Sequence, residues 1–183
     1  IISPEALAAL EACDAIVLFG PRSGSRTLDG HIPSDLPPGP LQTRLPLRVL
    51  RVESLRPGAE PKVRVGSATL RGKLWREHLD TDLPVRATFE DDAAAWVQAG
   101  RWHYLAAWPG ADLYDVVMAQ LAAEAGLAVI PMEPGLRLRT RDGIRFCVNY
   151  SAEPRQAPFP PGSTFVMGGQ DLMPGGVCAA RLP

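Results

Sequence analysis

A loop rich in glycine and arginine follows the apolar run at residues 15 to 19, and its side chains are the first candidates for chemistry in this chain. The loop reads GPRSGSRT over residues 20 to 27. A phosphate-binding loop needs the pattern G-x-x-x-x-G-K-[ST], but counting from Gly20 the second glycine position holds Ser25, and Arg26 replaces the lysine. The spacing therefore argues against a nucleotide site.

The same loop fits the frame of a nucleophile elbow, in which a strand ends in G-x-nucleophile-x-G. Residues 20 to 24 match that frame, and Arg22 occupies the nucleophile position. A guanidinium group stays protonated and cannot attack a carbonyl carbon. We therefore expect a structural or interface loop, whose candidate residues are Arg22, Ser23, Ser25 and Arg26. Its two arginines are expected to pair with carboxylates, either within the domain or across an interface.

The histidines and one acidic run are the other polar candidates. His31, His78 and His103 have no i, i+4 spacing and no acidic residues placed as obvious partners, so we expect structural or surface histidines rather than metal ligands or a catalytic base. The acids at residues 90 to 92 could hold a cation, but their place at the end of a predicted strand favours a solvated turn.

Five large aromatic side chains could stack on sugar rings; they are Trp75, Trp96, Trp102, Tyr104 and Trp108. Alternate residues of a strand share a face, so Trp102 and Tyr104 are expected to lie together. Large aromatic residues dominate both protein cores and subunit interfaces. Packing in one of those two places is therefore the favoured interpretation.

The composition bounds the class of protein. The chain has 19 basic and 20 acidic residues and a net charge of −1, which gives no electrostatic reason to expect a nucleic acid or an anionic membrane as partner. Its apolar runs reach about five to seven residues, far below the roughly 20 that cross a bilayer. Cys13, Cys147 and Cys178 lack a C-x-x-C spacing, so we expect buried thiols in a reducing compartment. The lack of a leader sequence predicts a cytoplasmic protein if Ile1 is the true N-terminus.

The beginning of the chain combines a helical and a strand pattern. Ser3, Pro4 and Glu5 form a typical helix start, and the helix is expected to end near Asp14. The unbroken apolar run at residues 15 to 19 then predicts a strand buried on both faces, as in a parallel sheet covered by helices. This succession indicates an α/β fold.

Strand patterns follow a proline-rich loop at residues 33 to 46. Period-two alternation predicts four strands, at residues 47 to 52, 62 to 65, 74 to 79 and 85 to 89. Residues 94 to 98 and 101 to 107 flank Ala99-Gly100, which predicts a hairpin.

A second helix is predicted between Asp112, as its N-cap, and Gly126, as its C-terminal stop. Its apolar stripe consists of Leu113, Val116, Val117 and Leu121. After about residue 135 the pattern changes to short strands joined by turns. We therefore predict an α/β domain over residues 1 to 134 and a small antiparallel β domain over residues 135 to 183.

Six segments, in this order, resemble the C-terminal portion of glycoside hydrolase family 42 β-galactosidases. They are LFGPRSGSRT (18 to 27), IPSDLPPGPL (32 to 41), RVESLRPG (51 to 58), GRWHYLAAWP (100 to 109), AEAG (123 to 126) and FCVNYS (146 to 151). Members of that family have a (β/α)₈ barrel that carries the chemistry, a middle α/β domain that packs subunits into a trimer, and a small C-terminal β domain. The ordered set covers most of the chain.

The resemblance implies a fold for the first domain. The family's middle domain is similar to class I glutamine amidotransferases, so residues 1 to 134 are expected to form an N-terminally incomplete, flavodoxin-like or amidotransferase-like oligomerisation domain. Active amidotransferases carry a cysteine in the G-x-C-x-G frame, where this chain has Arg22. Cys13 lies before the strand and does not substitute. The resemblance therefore implies an amidotransferase-like fold without amidotransferase chemistry.

The resemblance also implies a function. The family hydrolyses terminal β-galactosides with two glutamates on the barrel, and no glutamate of this chain matches their motifs, so we expect no catalytic residue, cofactor or metal here. The expected role is a non-catalytic segment that packs subunits and supports the barrel. The expected partners are that barrel and the other subunits of a homo-oligomer, a trimer by resemblance, and the galactoside is reached only through the barrel.

Two other hypotheses stay open. The chain could be a free-standing binding or regulatory module with a degenerate amidotransferase-like fold, which uses residues 20 to 27 and nearby tryptophans for a small anionic or sugar ligand. It could also be an α/β hydrolase that uses Ser23 or Ser25, which requires a nearby histidine and acid.

Overall fold

The computed structural model describes every residue from Ile1 to Pro183. The chain divides into two compact units, Ile1–Val129 (unit 1) and Ile130–Pro183 (unit 2). Each unit encloses a cluster of buried apolar side chains of its own. No helix of the chain is both long enough and apolar enough to cross a membrane.

Unit 1 is built mainly from β-strands. Its elements, in chain order, are α1 Pro4–Ala12, β1 Val17–Phe19, a 3₁₀ helix Gly39–Thr43, β2 Leu47–Ser54, β3 Lys62–Val65, β4 Ala68–Thr81, β5 Val85–Phe89, β6 Ala94–Ala99, β7 Trp102–Leu105, β8 Ala107–Pro109 and α2 Ala111–Glu124. The strands form one sheet in the order β1-β7-β6-β5-β3-β4-β2, and β8 pairs with β4. Only β1 and β7 run parallel, with Val17 opposite Trp102, and every other pair is antiparallel.

This arrangement corrects the predicted α/β class, because the chain is mostly β with few helices. Short turns join β3 to β4 and β6 to β7, and a two-residue turn can connect only antiparallel strands. The apolar run at residues 15 to 19 does end in a strand that pairs in parallel. However, β1 lies at the edge of the sheet, and only Phe19 of its three residues is buried.

Helix α1 begins where the sequence predicts it. Ser3 is the N-cap, and its hydroxyl oxygen accepts a hydrogen bond from the backbone N–H of Ala6 at 3.2 Å. At the other end, the Arg101 guanidinium donates to the carbonyl oxygens of Leu10 (2.6 Å) and Ala15 (2.7 Å). A cation at a helix C-terminus satisfies carbonyls that have no partner within the helix. Arg101 therefore fixes both α1 and the start of β1 to the hairpin β6–β7.

The strand predictions hold where the turns are short and local. The predicted hairpin forms, with Ala99 opposite Trp102 across the β6–β7 turn. Strand β4 is much longer than the predicted residues 74 to 79, because a tight turn at Gly66, where φ is 57°, returns the chain directly from β3. Such a positive φ is characteristic of glycine in hairpin turns.

Helix α2 packs on the sheet through the predicted stripe, since Leu113, Val117 and Leu121 are buried. Its N-cap is Gly110, which corrects the assignment of that position to Asp112. The Asp112 carboxylate instead accepts a hydrogen bond from the backbone N–H of Arg71 at 3.2 Å, so it ties the helix to β4.

Aromatic residues fill the core of unit 1, as the packing interpretation predicts. Trp96 and Tyr104 are fully buried, and Trp102 stacks on Phe19 with ring centroids 6.0 Å apart. Trp108 differs from these residues because its side chain is exposed.

Unit 2 contains an antiparallel four-stranded sheet and a two-stranded one. Its strands are β9 Leu136–Arg141, β10 Ile144–Asn149, β11 Arg155–Gln156, β12 Thr164–Met167, β13 Asp171–Leu172 and β14 Val177–Arg181. Asn149 is fully buried, and its amide nitrogen donates to the carbonyl oxygens of Glu153 (2.8 Å), Leu172 (3.0 Å) and Met173 (3.2 Å). Its side-chain oxygen accepts from the backbone and hydroxyl of Ser151. One amide thus holds two loops of unit 2 together.

The cysteines only partly match the expectation of buried thiols. Cys147 and Cys178 are buried and face each other across β10 and β14, whereas Cys13 is exposed. Burial raises the pKa of the Cys147 thiol and raises that of Cys178 to about 11, to which the neighbouring Cys147 also contributes. Both buried thiols therefore act as small apolar side chains.

Asn149→Ala is expected to lower the free energy of unfolding by about 3 kcal/mol, because it removes the five hydrogen bonds of a fully buried amide, including the buried one to the carbonyl oxygen of Leu172. The measurement is urea denaturation. The control is Tyr150→Ala at the adjacent exposed position, which is expected to change stability by about 0.5 kcal/mol or less. Equal effects of the two substitutions would contradict the assigned role of Asn149.

The elbow loop and the Glu77 cluster as candidate functional site

The elbow loop, residues 20 to 27, has a left-handed backbone at Arg22, where φ is 69°. Residues other than glycine rarely occupy this region, because the Cβ atom crowds the backbone. Gly24 also has a positive φ of 59°, and a Cβ atom there would clash with the carbonyl oxygen of Pro38. The elbow loop is therefore packed closely against the proline-rich loop, which fixes its shape.

A buried carboxylate on β4 anchors the elbow loop. Glu77 is only 2% exposed, and its Oε1 atom accepts hydrogen bonds from the backbone N–H of Arg22 (2.9 Å) and from Trp75 Nε1 (3.2 Å). Its Oε2 atom accepts from the Tyr104 hydroxyl at 2.6 Å. These four residues form the Glu77 cluster, which joins the elbow loop to β4 and β7. No cation pairs with Glu77 within 4.0 Å, so hydrogen bonds alone compensate for its burial.

The cluster is built for positioning rather than for proton transfer. Burial, together with the negative charge of Glu77, raises the pKa of Tyr104 far above its usual range, so its hydroxyl stays a donor. All three donors point at the carboxylate of Glu77, and almost none of its surface is exposed to a ligand. Glu77 was not selected by the sequence analysis. One hint was present, because Glu77 shares a face of an alternating strand with the large apolar side chains of Trp75 and Leu79.

The arginine side chains of the elbow loop have no carboxylate partner within the chain. The Arg22 guanidinium lies 5.4 Å from the centroid of the Trp75 ring, and Arg26 Nη1 lies 3.5 Å from the carbonyl oxygen of Gly30. The expected pairing within the domain is therefore wrong, since the carboxylate that approaches the loop binds the backbone of Arg22. The expected pairing across an interface stays a prediction.

The serines of the elbow loop have no catalytic partners. Ser23 and Ser25 take part in turn hydrogen bonds through their backbone N–H groups, to Gly20 and Arg22 respectively. No histidine donates to or accepts from either hydroxyl. The hydrolase hypothesis requires such a pair, so the geometry contradicts it.

The histidines lie apart from one another, and two of them do have acidic neighbours, contrary to the sequence expectation. His78 Nε2 lies 2.7 Å from Glu53 Oε1 on the strand pair β2–β4, and His103 Nε2 lies 3.6 Å from Glu124 Oε2. His31 is exposed just before the proline-rich loop. No group of three or more histidine, cysteine or acidic side chains could hold a metal ion.

The acids at residues 90 to 92 form the turn between β5 and β6, as predicted, but each is also ion-paired. Glu90 pairs with Lys62 at 2.9 Å, Asp91 with Arg76 at 2.6 Å, and Asp92 with Arg64. Through these contacts the acidic turn is linked to the neighbouring strands β3 and β4. Because the partners are partly exposed, each pair adds little stability.

A second polar cluster, which the sequence does not reveal, lies under helix α2. His103 is fully buried beside Trp96, and Arg86 binds Glu124, Gln98 (3.1 Å) and Gln120 (3.1 Å). Burial lowers the pKa of His103; the Arg86 charge adds to this shift and Glu124 opposes it. Neither ring nitrogen of His103 has a hydrogen-bond partner.

Comparison with known proteins identifies the family of this chain. Residues 4–128 match the family model described as the β-galactosidase trimerisation domain. The chain belongs to this family. It is 45% identical over 174 residues to the β-galactosidase BgaA of a Thermus species, a match that covers 95% of this chain and 27% of that protein. The resemblance to family 42 β-galactosidases is thereby confirmed.

Solved β-galactosidases share the fold. The β-galactosidase of the psychrophilic Marinomonas ef1 superposes with a TM-score of 0.92 at 31% identity, covering 100% of this chain and 28% of that one. The enzyme of the Antarctic haloarchaeon Halorubrum lacusprofundi superposes with a TM-score of 0.82 at 26% identity, over 97% and 29%. This trimerisation-domain chain thus spans a little over a quarter of the length of the β-galactosidases that it matches.

Glu77→Ala is expected to lower the free energy of unfolding of the trimerisation domain by about 3 kcal/mol, because three donors, including the buried Tyr104 hydroxyl, lose their acceptor. Glu77→Gln keeps the shape but is expected to destabilise too, since its NH₂ group would face one of the donors. The measurement is urea denaturation. The matched control is Glu90→Ala, an exposed ion-paired glutamate, with an expected loss of about 1 kcal/mol or less. A Glu77→Ala variant as stable as this control would contradict the anchoring role.

The stability of the domain is expected to fall as the pH decreases below about 6.5, the ordinary pKa of histidine. Since the pKa of His103 is lower in the folded chain, the unfolded chain binds more protons in this range, so acid favours unfolding. The expected result is a steeper loss of unfolding free energy between pH 7.5 and 5.5 in the natural chain than in His103→Phe. The exposed His31→Gln serves as control and should keep the natural slope, whereas an unchanged slope in His103→Phe would disprove the assignment.

Proposed function

We propose that the chain is a non-catalytic part of a β-galactosidase that packs subunits against one another and supports the catalytic barrel. The observation that carries this proposal is the match of residues 4–128 to a family named for trimerisation. That match spans nearly the whole of unit 1, including the elbow loop and both helices. It favours a packing role over a free-standing binding module.

The chemistry of the elbow loop supports the same conclusion. An inert guanidinium occupies the position where an active amidotransferase carries its nucleophile, and the neighbouring carboxylate of Glu77 is committed to three structural hydrogen bonds. Ser23 and Ser25 have no histidine partner. A loop that carries a guanidinium at the nucleophile position, beside a buried carboxylate, is suited to packing rather than to bond cleavage.

An amidotransferase-like origin of unit 1 belongs to this proposal. Two features support it: the helix α1 leads directly into β1, and β1 ends in a sharp turn with Arg22 in a strained backbone conformation. The parallel pairing of β1 with β7, the one parallel pair in the sheet of unit 1, also supports it. Unit 2 would then be the small β domain that follows the trimerisation domain.

The activity and setting of the whole protein are proposed by analogy. The relatives that this chain matches are named β-galactosidases, so the complete protein is expected to hydrolyse terminal β-galactosides. Its expected partners are its own barrel and two further subunits, and its expected location is the cytoplasm. Within the chain, the elbow loop is proposed to present Arg22 and Arg26 to a carboxylate of a neighbouring subunit or of the barrel.

At micromolar concentration, the purified chain is expected to sediment as a trimer, with about three times the 19.7 kDa mass of one copy. The same sample is expected to show no hydrolysis of a chromogenic β-galactoside above background. Sedimentation velocity and absorbance give the two readouts. A monomer would contradict the packing role of the isolated chain, and turnover would contradict its non-catalytic assignment.

A further inference from the structure

Two buried cysteines face each other in unit 2. Cys147 on β10 and Cys178 on β14 are directly opposite in the antiparallel register, and both are 0% exposed. Residues opposite each other on paired strands direct their side chains to the same face of the sheet. Both cysteines accordingly belong to the buried apolar cluster of unit 2. The two thiols are therefore cross-strand neighbours within one core.

The backbone spacing of this pair suits a disulfide bond. The N–H of Asn149 donates to the carbonyl oxygen of Gly176 at 2.9 Å, which makes these two residues a hydrogen-bonded pair. Such pairs recur at every second residue of an antiparallel ladder, so Cys147 and Cys178 form the next one, with Cα atoms about 5.5 Å apart. Disulfide-bonded cysteines have Cα atoms roughly 4.4 to 6.8 Å apart. The two sulfurs can therefore bond without a change of register.

A bond between them would be under some strain. A hydrogen-bonded pair holds its Cβ atoms about 5.5 Å apart, whereas a disulfide holds them at roughly 3.5 to 4.5 Å. Bond formation must therefore draw the two strands about 1 Å closer. A strained disulfide is reduced more readily than a relaxed one, which is typical of reversible rather than permanent bonds.

Other uses of the two thiols fit less well. No third histidine, cysteine or acidic side chain joins them to complete a metal site. Burial raises the pKa of both thiols, so neither is the activated thiolate of a catalytic cysteine. The third cysteine, Cys13, is exposed and lies in unit 1. The chemistry that remains for Cys147 and Cys178 is with each other.

We propose that Cys147 and Cys178 are a redox-sensitive pair, which a small-molecule disulfide oxidises to a bond that joins β10 to β14. The bond closes a loop of about 30 residues that contains β11, β12 and β13. Closing such a loop restricts the unfolded chain, so the oxidised form of unit 2 resists opening more strongly than the reduced form. This redox response is independent of the packing function, which rests on the family match of unit 1.

The reaction is a thiol–disulfide exchange in two steps. One cysteine, as a thiolate, attacks a sulfur of the small-molecule disulfide; a new S–S bond forms, the old one breaks, and one small thiolate leaves. The second cysteine thiolate attacks the protein sulfur of this mixed disulfide and expels the other small thiolate. The two cysteines are oxidised, the reagent is reduced to two thiols, and the two cysteine protons pass to those thiols through water. Because both cysteines are buried, the exchange begins from an opened form of unit 2.

The test uses the full chain with Cys13→Ser, which removes the exposed thiol as a source of cross-linking. Oxidised glutathione is added without urea and at urea concentrations below the unfolding transition. Free thiols are then alkylated under denaturing conditions, and the mass of the chain is measured. We expect a product that has lost two hydrogens, carries neither glutathione nor an alkyl group, and yields one linked peptide with both cysteines. Its rate of formation is expected to rise about tenfold or more with urea, since opening limits it.

Amide hydrogen exchange of β10 and β14 gives the second readout. The oxidised form is expected to exchange about tenfold more slowly than the reduced form, and dithiothreitol should restore the faster rate. All four tryptophans lie in unit 1, so their fluorescence in urea is an internal control that should not change. The matched variant is Cys178→Ala in the same Cys13→Ser chain, which is expected to take up at most one glutathione and to gain no protection.

Two free thiols after exposure to the oxidant in urea would overturn the proposal, and so would one glutathione on each cysteine. A bond that forms but leaves the exchange of β10 and β14 unchanged would overturn the stabilising effect. Equal protection in the Cys178→Ala variant would assign the effect to bound glutathione and would overturn the pair as its cause.

Discussion

The buried carboxylate of Glu77 is the contact on which the rest of unit 1 depends. A carboxylate that leaves water without a cation must find hydrogen-bond donors, and two of its three donors come from distant parts of the chain. The Arg22 N–H lies 55 residues away and the Tyr104 hydroxyl 27 residues away. The long strand β4, the hairpin β6–β7 and the elbow loop must therefore be in register before the carboxylate is satisfied.

This requirement explains why the elbow loop keeps a strained backbone without a nucleophile. The left-handed conformation of Arg22 directs its N–H inward to Glu77, while its guanidinium lies outside over Trp75. The same geometry that would expose a nucleophile thus exposes a cation. The tight approach of Gly24 to Pro38 holds the opposite side of the loop. Strain in the backbone is balanced by packing on both sides, as expected where surrounding contacts over-determine a turn.

Local features of the fold could be predicted from the sequence, and distant pairings could not. The hairpin at Gly100 and the buried stripe of α2 follow from turn chemistry and from a period of 3.6, which neighbouring residues determine. The predicted α/β class holds only in part, because one apolar run and one helix resemble a parallel α/β unit, whereas all strand pairs other than β1–β7 are antiparallel. The role of Glu77 could not be predicted, because no sequence motif links it to Arg22 or Tyr104. The elbow pattern indicated the loop but not the carboxylate that binds its backbone.

The placement of β1 at the edge of the sheet has a consequence for the order of folding. The hairpins β3–β4 and β6–β7 close over a few residues, but the Arg101 contact that fixes the start of β1 spans 86 residues. Chain entropy makes such a distant closure slower than a local one, so we expect the antiparallel strands to form before β1 docks. The elbow loop follows β1 and binds Glu77 on β4, so we expect it to reach its final shape only after these strands have paired.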